Sequence, residues 1–178
     1  MDERLLISGC VNGDRKAQKA LYEKYSRSMM AVCFRYVNDT EDARDLLQEG
    51  FIKVFANISK YKGEGSFDGW VRRIFINCAL EHLRHADALR NAIDITECDS
   101  PDVEDEALDE QISPEAVMEC VRALPDGFRT VFNLYAIEEL SHKDIAQRLG
   151  ITESTSRTQY MRARKMLQNM IVKRLNEL

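Results

Sequence analysis

Leu140-Ser141-His142-Lys143-Asp144-Ile145-Ala146-Gln147-Arg148-Leu149-Gly150-Ile151-Thr152 is the stretch on which the fold of this chain turns. Ser141 followed three residues later by Asp144 resembles a capping box, which satisfies the free N–H groups at a helix start. Ile145, Ala146 and Leu149 recur at helical spacing, and Gly150 supplies a residue that ends a helix. Ile151 closes a tight turn and Thr152 caps a second helix, on which Ser156, Tyr160, Ala163 and Leu167 face inward at spacings of four, three and four. This is the pattern of a helix-turn-helix. The opposite face of the second helix carries Ser154, Arg157, Thr158, Met161, Arg162 and Lys165, a polar and basic strip suited to base edges and phosphates. Taken alone, the segment also fits an antiparallel helical hairpin with a solvated basic face.

Charge is distributed in support of the first reading. The net charge of -5 is wrong for a nucleic-acid binder until it is split by position. Residues 1–88 hold 14 Lys and Arg against 13 Asp and Glu, residues 89–112 hold 1 against 9, and residues 113–178 hold 10 against 8. Between Arg148 and Arg174 seven bases face a single acid, Glu153, so the basic footprint is local.

Upstream, eight Gly and three Pro among long runs of helix formers predict an all-α chain with short connections. Over residues 15–37 the apolar positions Ala17, Leu21, Tyr25, Met29, Val32, Cys33 and Tyr36 give one buried stripe on a long helix. A second helix starts near Asp39-Thr40-Glu41-Asp42, where a cap precedes acids that suit a helix N-terminus. Its stripe is Leu47, Phe51, Val54, Phe55 and Ile58. Glycines at 63 and 65 break the pattern, and Ser66 caps a third helix carrying Phe67, Trp70, Val71, Ile74, Phe75, Cys78 and Leu83.

After Ala88 the chain turns acidic and loses its aromatic residues until Ser113, which predicts a flexible linker. Ser113-Pro114-Glu115 opens a second domain with a serine cap and a proline in the first helical position. Its first helix runs through Val117, Cys120, Val121 and Leu124, and Pro125-Asp126-Gly127 breaks it before residues 128–137. The expected architecture is two small helical domains, residues 1–88 and 113–178, joined by the acidic linker 89–112, the second domain bearing the helix-turn-helix.

Several function classes find no support. The first residues hold no apolar run of signal-peptide length, and no stretch approaches the ~20 apolar residues of a membrane span, so a cytoplasmic protein without membrane insertion is expected. Cys10, Cys33, Cys78, Cys98 and Cys120 are scattered and odd in number, which favours reduced thiols over disulfides or a zinc knuckle. His82 and His85 stand three apart on a helix, but no carboxylate or cysteine completes a metal site. No phosphate-cradling glycine loop and no nucleophile motif is present, so neither catalytic residues nor a cofactor are expected.

Two segments together resemble the extracytoplasmic-function sigma factor family, over about residues 5–174. In the second domain the match is the 140–151 stretch quoted above, then Thr155 and Arg162-Ala163-Arg164-Lys165. In the first it is Asp42-Ala43-Arg44-Asp45-Leu46-Leu47-Gln48-Glu49-Gly50-Phe51-Ile52-Lys53, then Phe67-Asp68-Gly69-Trp70-Val71-Arg72-Arg73-Ile74-Phe75-Ile76-Asn77. The recognition helix departs from the family at Ser156, where many members carry an apolar residue, and at Gln159, where many carry arginine.

The resemblance implies an initiation subunit of bacterial RNA polymerase that takes no cofactor. It implies a region 2 domain in residues 1–88, which binds core polymerase and melts and reads the minus-ten element. The beta-prime clamp helices would dock on Asp45, Gln48, Glu49 and Lys53. Lys60, Lys62, Arg72, Arg73 and Arg84 would supply cations to a single strand, and Asn77 matches the position that reads a flipped base. Trp70 has two readings, core residue and stacking platform, and Asn77 also fits an amide bonded to a backbone carbonyl. Residues 113–178 would form a region 4 domain that reads the minus-thirty-five element through Ser154, Arg157, Thr158, Met161, Arg162 and Lys165 and meets the polymerase beta flap. Family members are often held inactive by an anti-sigma factor. The acidic linker fits a plain tether and also a segment threading the polymerase channel. A free repressor or response-regulator output domain would share the helix-turn-helix, but it leaves the first domain unexplained.

Overall fold

Asp2, Asp14 and Asp39 each stand immediately before a helix, and each carboxylate accepts a bond from a backbone N–H of the first turn: Arg4 at 3.3 Å, Lys16 at 2.8 Å, and Glu41 and Asp42 at 2.7 and 3.1 Å. These caps start α1 (Glu3–Val11), α2 (Arg15–Tyr36) and α3 (Thr40–Asn57). A 3-10 turn, Ile58–Lys60, follows α3, and Ser66 then caps α4 (Phe67–His85) by accepting from the Gly69 N–H at 3.1 Å. The computed structural model describes residues 2–85 and 113–176, all of whose regular structure is helical. They fall into two compact units that divide after His82. The predicted linker, residues 89–112, and Cys98 lie outside the described residues.

In the first unit α2 buries the seven residues that its periodicity names. On α3 the buried set is Ala43, Leu46, Leu47, Gly50, Phe51 and Val54, so Ala43, Leu46 and Gly50 join the predicted stripe while Phe55 stays half-exposed. Helix α3 packs on α2 and on α4 at once, which widens its inner face. Phe51 meets the Phe75 ring edge-on at 5.2 Å, and Tyr25 meets Phe67 in the same way at 5.8 Å. Leu21, Tyr36, Leu46, Val54, Phe67, Val71 and Phe75 are almost fully buried. Each such side chain is worth about 1.5–3 kcal/mol, enough to stabilise a small helical unit against its chain entropy. The thiols of Cys33 and Cys78 are pushed up by burial, to about 12 and about 11, and remain protonated as core fillers. His82 Nε2 of α4 lies 3.9 Å from the Asp42 carboxylate in the first turn of α3.

In the second unit Ser113, whose hydroxyl accepts from the Ala116 N–H at 3.2 Å, and Pro114 in the first turn start α5 (Pro114–Ala123). Pro125 starts α6 (Asp126–Phe132), so the predicted break is a single turn and the helix begins two residues early. Residues 128–137 are not one regular helix. A π turn, Asn133–Ile137, closes α6 with the Glu138 N–H bonded to Asn133 O at 3.0 Å, and Glu139 takes a left-handed φ of 55°. Helices α7 (His142–Leu149) and α8 (Glu153–Leu175) follow. Cys120, Val121, Leu124 and Phe128 pack on Ala163, Leu167 and Ile171 of α8. The N-terminal part of α8 instead meets α7, which buries Ile145, Ala146 and Leu149.

Arg129 is the least expected member of this core. Only 1% of it is exposed, and its guanidinium donates to the carbonyl oxygens of Arg122 and Leu124 at 3.0 Å each while pairing with Asp126. It thereby satisfies carbonyls that the end of α5 leaves open. Among the described residues no helix is long and apolar enough to cross a membrane.

Candidate nucleic-acid and partner interfaces

Helix α3 turns one side away from the core. Asp45, Gln48, Glu49 and Ile52 fall at spacings of three, one and three, so they share a helical face, and all four are exposed. Ile52, with 60% of its surface in solvent, is an apolar centre that periodicity assigned to neither face. Lys53 stands half-buried at the edge of this strip. Its ammonium contacts Glu49 at 2.7 Å and Glu81 of α4 at 2.6 Å, and these bonds, Glu49 first, raise it above the usual lysine value.

Helix α4 presents a second strip through Glu81. Trp70, Arg73, Asn77, Glu81 and Arg84 recur at spacings of three, four, four and three, which places them on one side of the helix. Arg73, Asn77, Glu81 and Arg84 are exposed, with Asn77 set between buried Ile76 and Cys78. Arg72 is half-buried and falls to the side of the strip. Trp70 is packed on one side and open on the other. Its indole stacks on Phe67 at 5.6 Å and 20° and meets Tyr61 at 5.6 Å, yet it is only half-buried.

The loop before α4 is held against the same aromatic group. Tyr61 donates its hydroxyl proton to Gly65 O at 2.8 Å, and Gly63 and Gly65 take the left-handed φ values of 78° and 76° that close the loop. Exposed Lys60 and Lys62 flank Tyr61, and Lys60 donates to the Asn57 amide oxygen at 2.8 Å. Cations, one anchored indole and one exposed amide therefore border a single stretch of surface, a combination suited to an unpaired strand.

In the second unit the helix-turn-helix is built as its caps predict. Ser141 Oγ accepts from the Asp144 N–H at 3.1 Å and bonds the Asp144 carboxylate at 2.6 Å. Gly150 ends α7 at φ 69°, and Thr152 Oγ1 accepts from the Thr155 N–H at 3.0 Å. On α8 the outward residues Ser154, Arg157, Thr158, Met161 and Arg162 are exposed and Lys165 is half-buried. Arg157 pairs with Glu153 one turn earlier. Inward, Ser156, Ala163 and Leu167 are buried with Gln159, while Tyr160 is half-buried.

Between α7, α8 and the π turn lies a polar and aromatic knot, open to solvent at Tyr135, that sequence periodicity did not signal. His142 Nδ1 shares a hydrogen bond of 3.0 Å with Ser156 Oγ. The imidazole stacks on Tyr135 at 4.2 Å and 11°, and Tyr160 closes the group 4.4 Å from Tyr135. Burial pulls the imidazole below its ordinary value, with the Arg157 charge as the second cause and Glu153 opposing.

Known proteins match on both units. Residues 21–88 match the family model of Sigma-70 region 2, and residues 115–167 match that of Sigma-70 region 4. The chain is similar to the RNA polymerase sigma-H factor of Pseudomonas aeruginosa, 30% identical over 98% of this chain and 96% of that protein. It is also similar to the ECF RNA polymerase sigma-E factor of Haemophilus influenzae, 29% identical over 96% of each. Its fold is shared by the sigma factor RpoE of Bartonella quintana, solved in complex with the anti-sigma factor NepR, at 18% identity, 86% and 95% coverage and a TM-score of 0.52. The outward strips of α3, α4 and α8 thus lie on regions 2 and 4 of a known kind, and the chain belongs to the extracytoplasmic-function sigma factors, non-enzymatic subunits that direct promoter-specific initiation by RNA polymerase.

Proposed function

We propose that the two units divide the work of initiation. The first, residues 1–88, docks on core polymerase at the beta-prime clamp helices through Asp45, Gln48 and Glu49, with Ile52 as the apolar anchor and Lys53 holding the strip to α4. Exposure of Asp45, Gln48 and Glu49 around the apolar centre Ile52 supports this, since interfaces concentrate their energy in a few buried anchors within a polar rim. The loop and α4 take the minus-ten strand, with Lys60, Lys62, Arg72, Arg73 and Arg84 facing phosphates, Trp70 walling the pocket and Asn77 reading a base.

The second unit, residues 113–178, reads the minus-thirty-five duplex through α8 and meets the beta flap. The observation that carries this reading is the partition of α8: Ser154, Arg157, Thr158, Met161 and Arg162 face solvent while Ser156, Ala163 and Leu167 are buried against the rest of the unit. The acidic residues 89–112 join the units. The chain carries no catalysis of its own and works in the cytoplasm. Since the Bartonella sigma factor that shares the fold was solved with an anti-sigma factor, a protein inhibitor that covers the α3 strip is proposed here too.

Holoenzyme reconstituted from core polymerase and this chain provides the test. An Asp45→Arg, Gln48→Ala pair is expected to weaken core binding while leaving the far-ultraviolet spectrum unchanged. An Arg157→Ala, Arg162→Ala pair is expected to spare core binding and lose promoter use, at about 1–3 kcal/mol per bidentate base contact. Full core binding by the first pair, or full promoter use by the second, overturns the corresponding assignment.

A further inference from the structure

Ser156 sits on the inner face of α8 with 0% of its surface exposed. A hydroxyl removed from water costs stability unless it finds a partner. The partner is His142 Nδ1 at 3.0 Å, from the first residue of α7. One directional bond therefore spans the helix-turn-helix, from the start of α7 to the first turns of α8.

The imidazole is itself held in place. It lies nearly parallel to Tyr135 at 4.2 Å and 11°, and the Tyr160 ring stands edge-on to it at 5.8 Å. Tyr135 comes from the π turn, whose five-residue hydrogen bond shifts the register so that Leu134 stays fully buried and the next side chain reaches the imidazole. Apolar surfaces alone slide and roll over one another at little cost, whereas a hydrogen bond weakens steeply once its angle is lost. Arg157, the residue after Ser156, stands about 100° round α8 from it and is exposed. A roll of about 10–20° is enough to carry the tip of such a side chain out of productive geometry.

We propose that His142 is a positioning residue for promoter discrimination: its contact with buried Ser156 and its stack on Tyr135 fix the roll of α8, and hence the aim of Arg157 and Arg162. The inference rests on the assignment of α8 to the minus-thirty-five duplex. It adds a residue that acts through the recognition helix from outside it.

A promoter selected by the wild-type holoenzyme from random-sequence templates supplies the probe, and its upstream element is then fully randomised and its transcripts counted. His142→Phe keeps a flat ring on Tyr135 and removes the nitrogen, and Ser156→Ala removes only the hydroxyl. Each is expected to narrow the ratio between best and median upstream elements by about 5–10-fold, part of one base contact, with core binding unchanged. The double variant is expected to lose no more than either single one, because both delete the same bond. Three outcomes overturn the proposal: an unchanged ratio in Ser156→Ala, additive losses in the double variant, or an equal fall across all templates that tracks a lower melting temperature. Arg157→Ala with Arg162→Ala runs alongside. Discrimination kept by that pair sinks the groove assignment, whereas its loss together with an unchanged Ser156→Ala sinks only the role of His142.

Discussion

Gly50 of α3 lies directly under the ring of Phe75 from α4: a Cβ placed on Gly50 would stand 2.3 Å from Phe75 Cε1 and 2.6 Å from Cζ. The glycine is there for approach, since it sits mid-helix, where a side chain would force the two helices apart. Gly50→Ala is expected to destabilise the first unit by about 2–3 kcal/mol through overpacking. Trp70, the only tryptophan, lies in that unit and reports its unfolding in denaturant. Adding Phe75→Leu, which shortens the obstacle, is expected to recover part of the loss. A Gly50→Ala midpoint equal to wild type would show that α3 and α4 approach less closely than described.

Arg129 gives a prediction of the opposite kind, in which a charge is needed inside. Its two bonds to Arg122 O and Leu124 O and its pair with Asp126 leave three acceptors when it is removed. Arg129→Met, similar in length and apolar, is expected to cost about 2–4 kcal/mol in the second unit, because the carbonyls at the end of α5 lose their partner. Arg129→Lys is expected to rescue little, since an ammonium cannot span the same fork. Thermal unfolding followed by circular dichroism, with hydrogen exchange on α5, provides the measurement.

How far the fold could be read from residues depended on how many neighbours each helix has. The buried side of α2 was fully legible from its 3.6-residue repeat. On α3 the two neighbours widen the buried face, so Leu46 fell outside a narrow stripe, and Gly50 has no side chain to signal burial. On α8 the first half meets α7 and the second half meets α5 and α6, so the inner face shifts along 23 residues: Ser156, Ala163 and Leu167 are buried as their spacing predicts, Tyr160 is only half-buried, and Gln159 and Ile171 join the buried set. Arg129 and the His142–Ser156 bond were illegible for another reason: Arg129 and His142 are polar types that read as surface, and the inward spacing of Ser156 does not name its partner, which is distant in sequence. The outward residues of α3 and α8 were easier to anticipate, because a solvated strip is the complement of an apolar one.

His142 also makes the stability of the second unit depend on pH. Its folded-state pKa is lowered, by burial first and then by Arg157, so the unfolded state binds the proton more readily. The contribution is therefore present above the unfolded value of about 6.5 and is lost as pH falls through it toward the lower folded value. His142→Phe removes the titrating group, so the wild type is expected to lose more stability than the variant between pH 7.5 and 5.5. Parallel melting curves for the two proteins over that range would refute the coupling.

Asn77 is placed so that its role can be separated from the fold. It is exposed on the α4 strip between Arg73 and Glu81, while its neighbours Ile76 and Cys78 are buried. Asn77→Ala is expected to fold, and its melting temperature is the control that separates loss of a local contact within the helix unit from loss of a contact with DNA. An amide offers a donor and an acceptor together, which suits the Watson-Crick edge of an extruded base. Asn77→Ala is accordingly expected to reduce open-complex formation on the native promoter, with core binding and upstream duplex binding unaffected. A template whose bubble is already unpaired separates melting from reading, because it removes the cost of opening but not the need for the contact. If the defect persists on that template, Asn77 reads the base. Full rescue by the unpaired bubble assigns the residue to strand opening, and an unchanged open complex on the duplex promoter removes it from the minus-ten interface altogether.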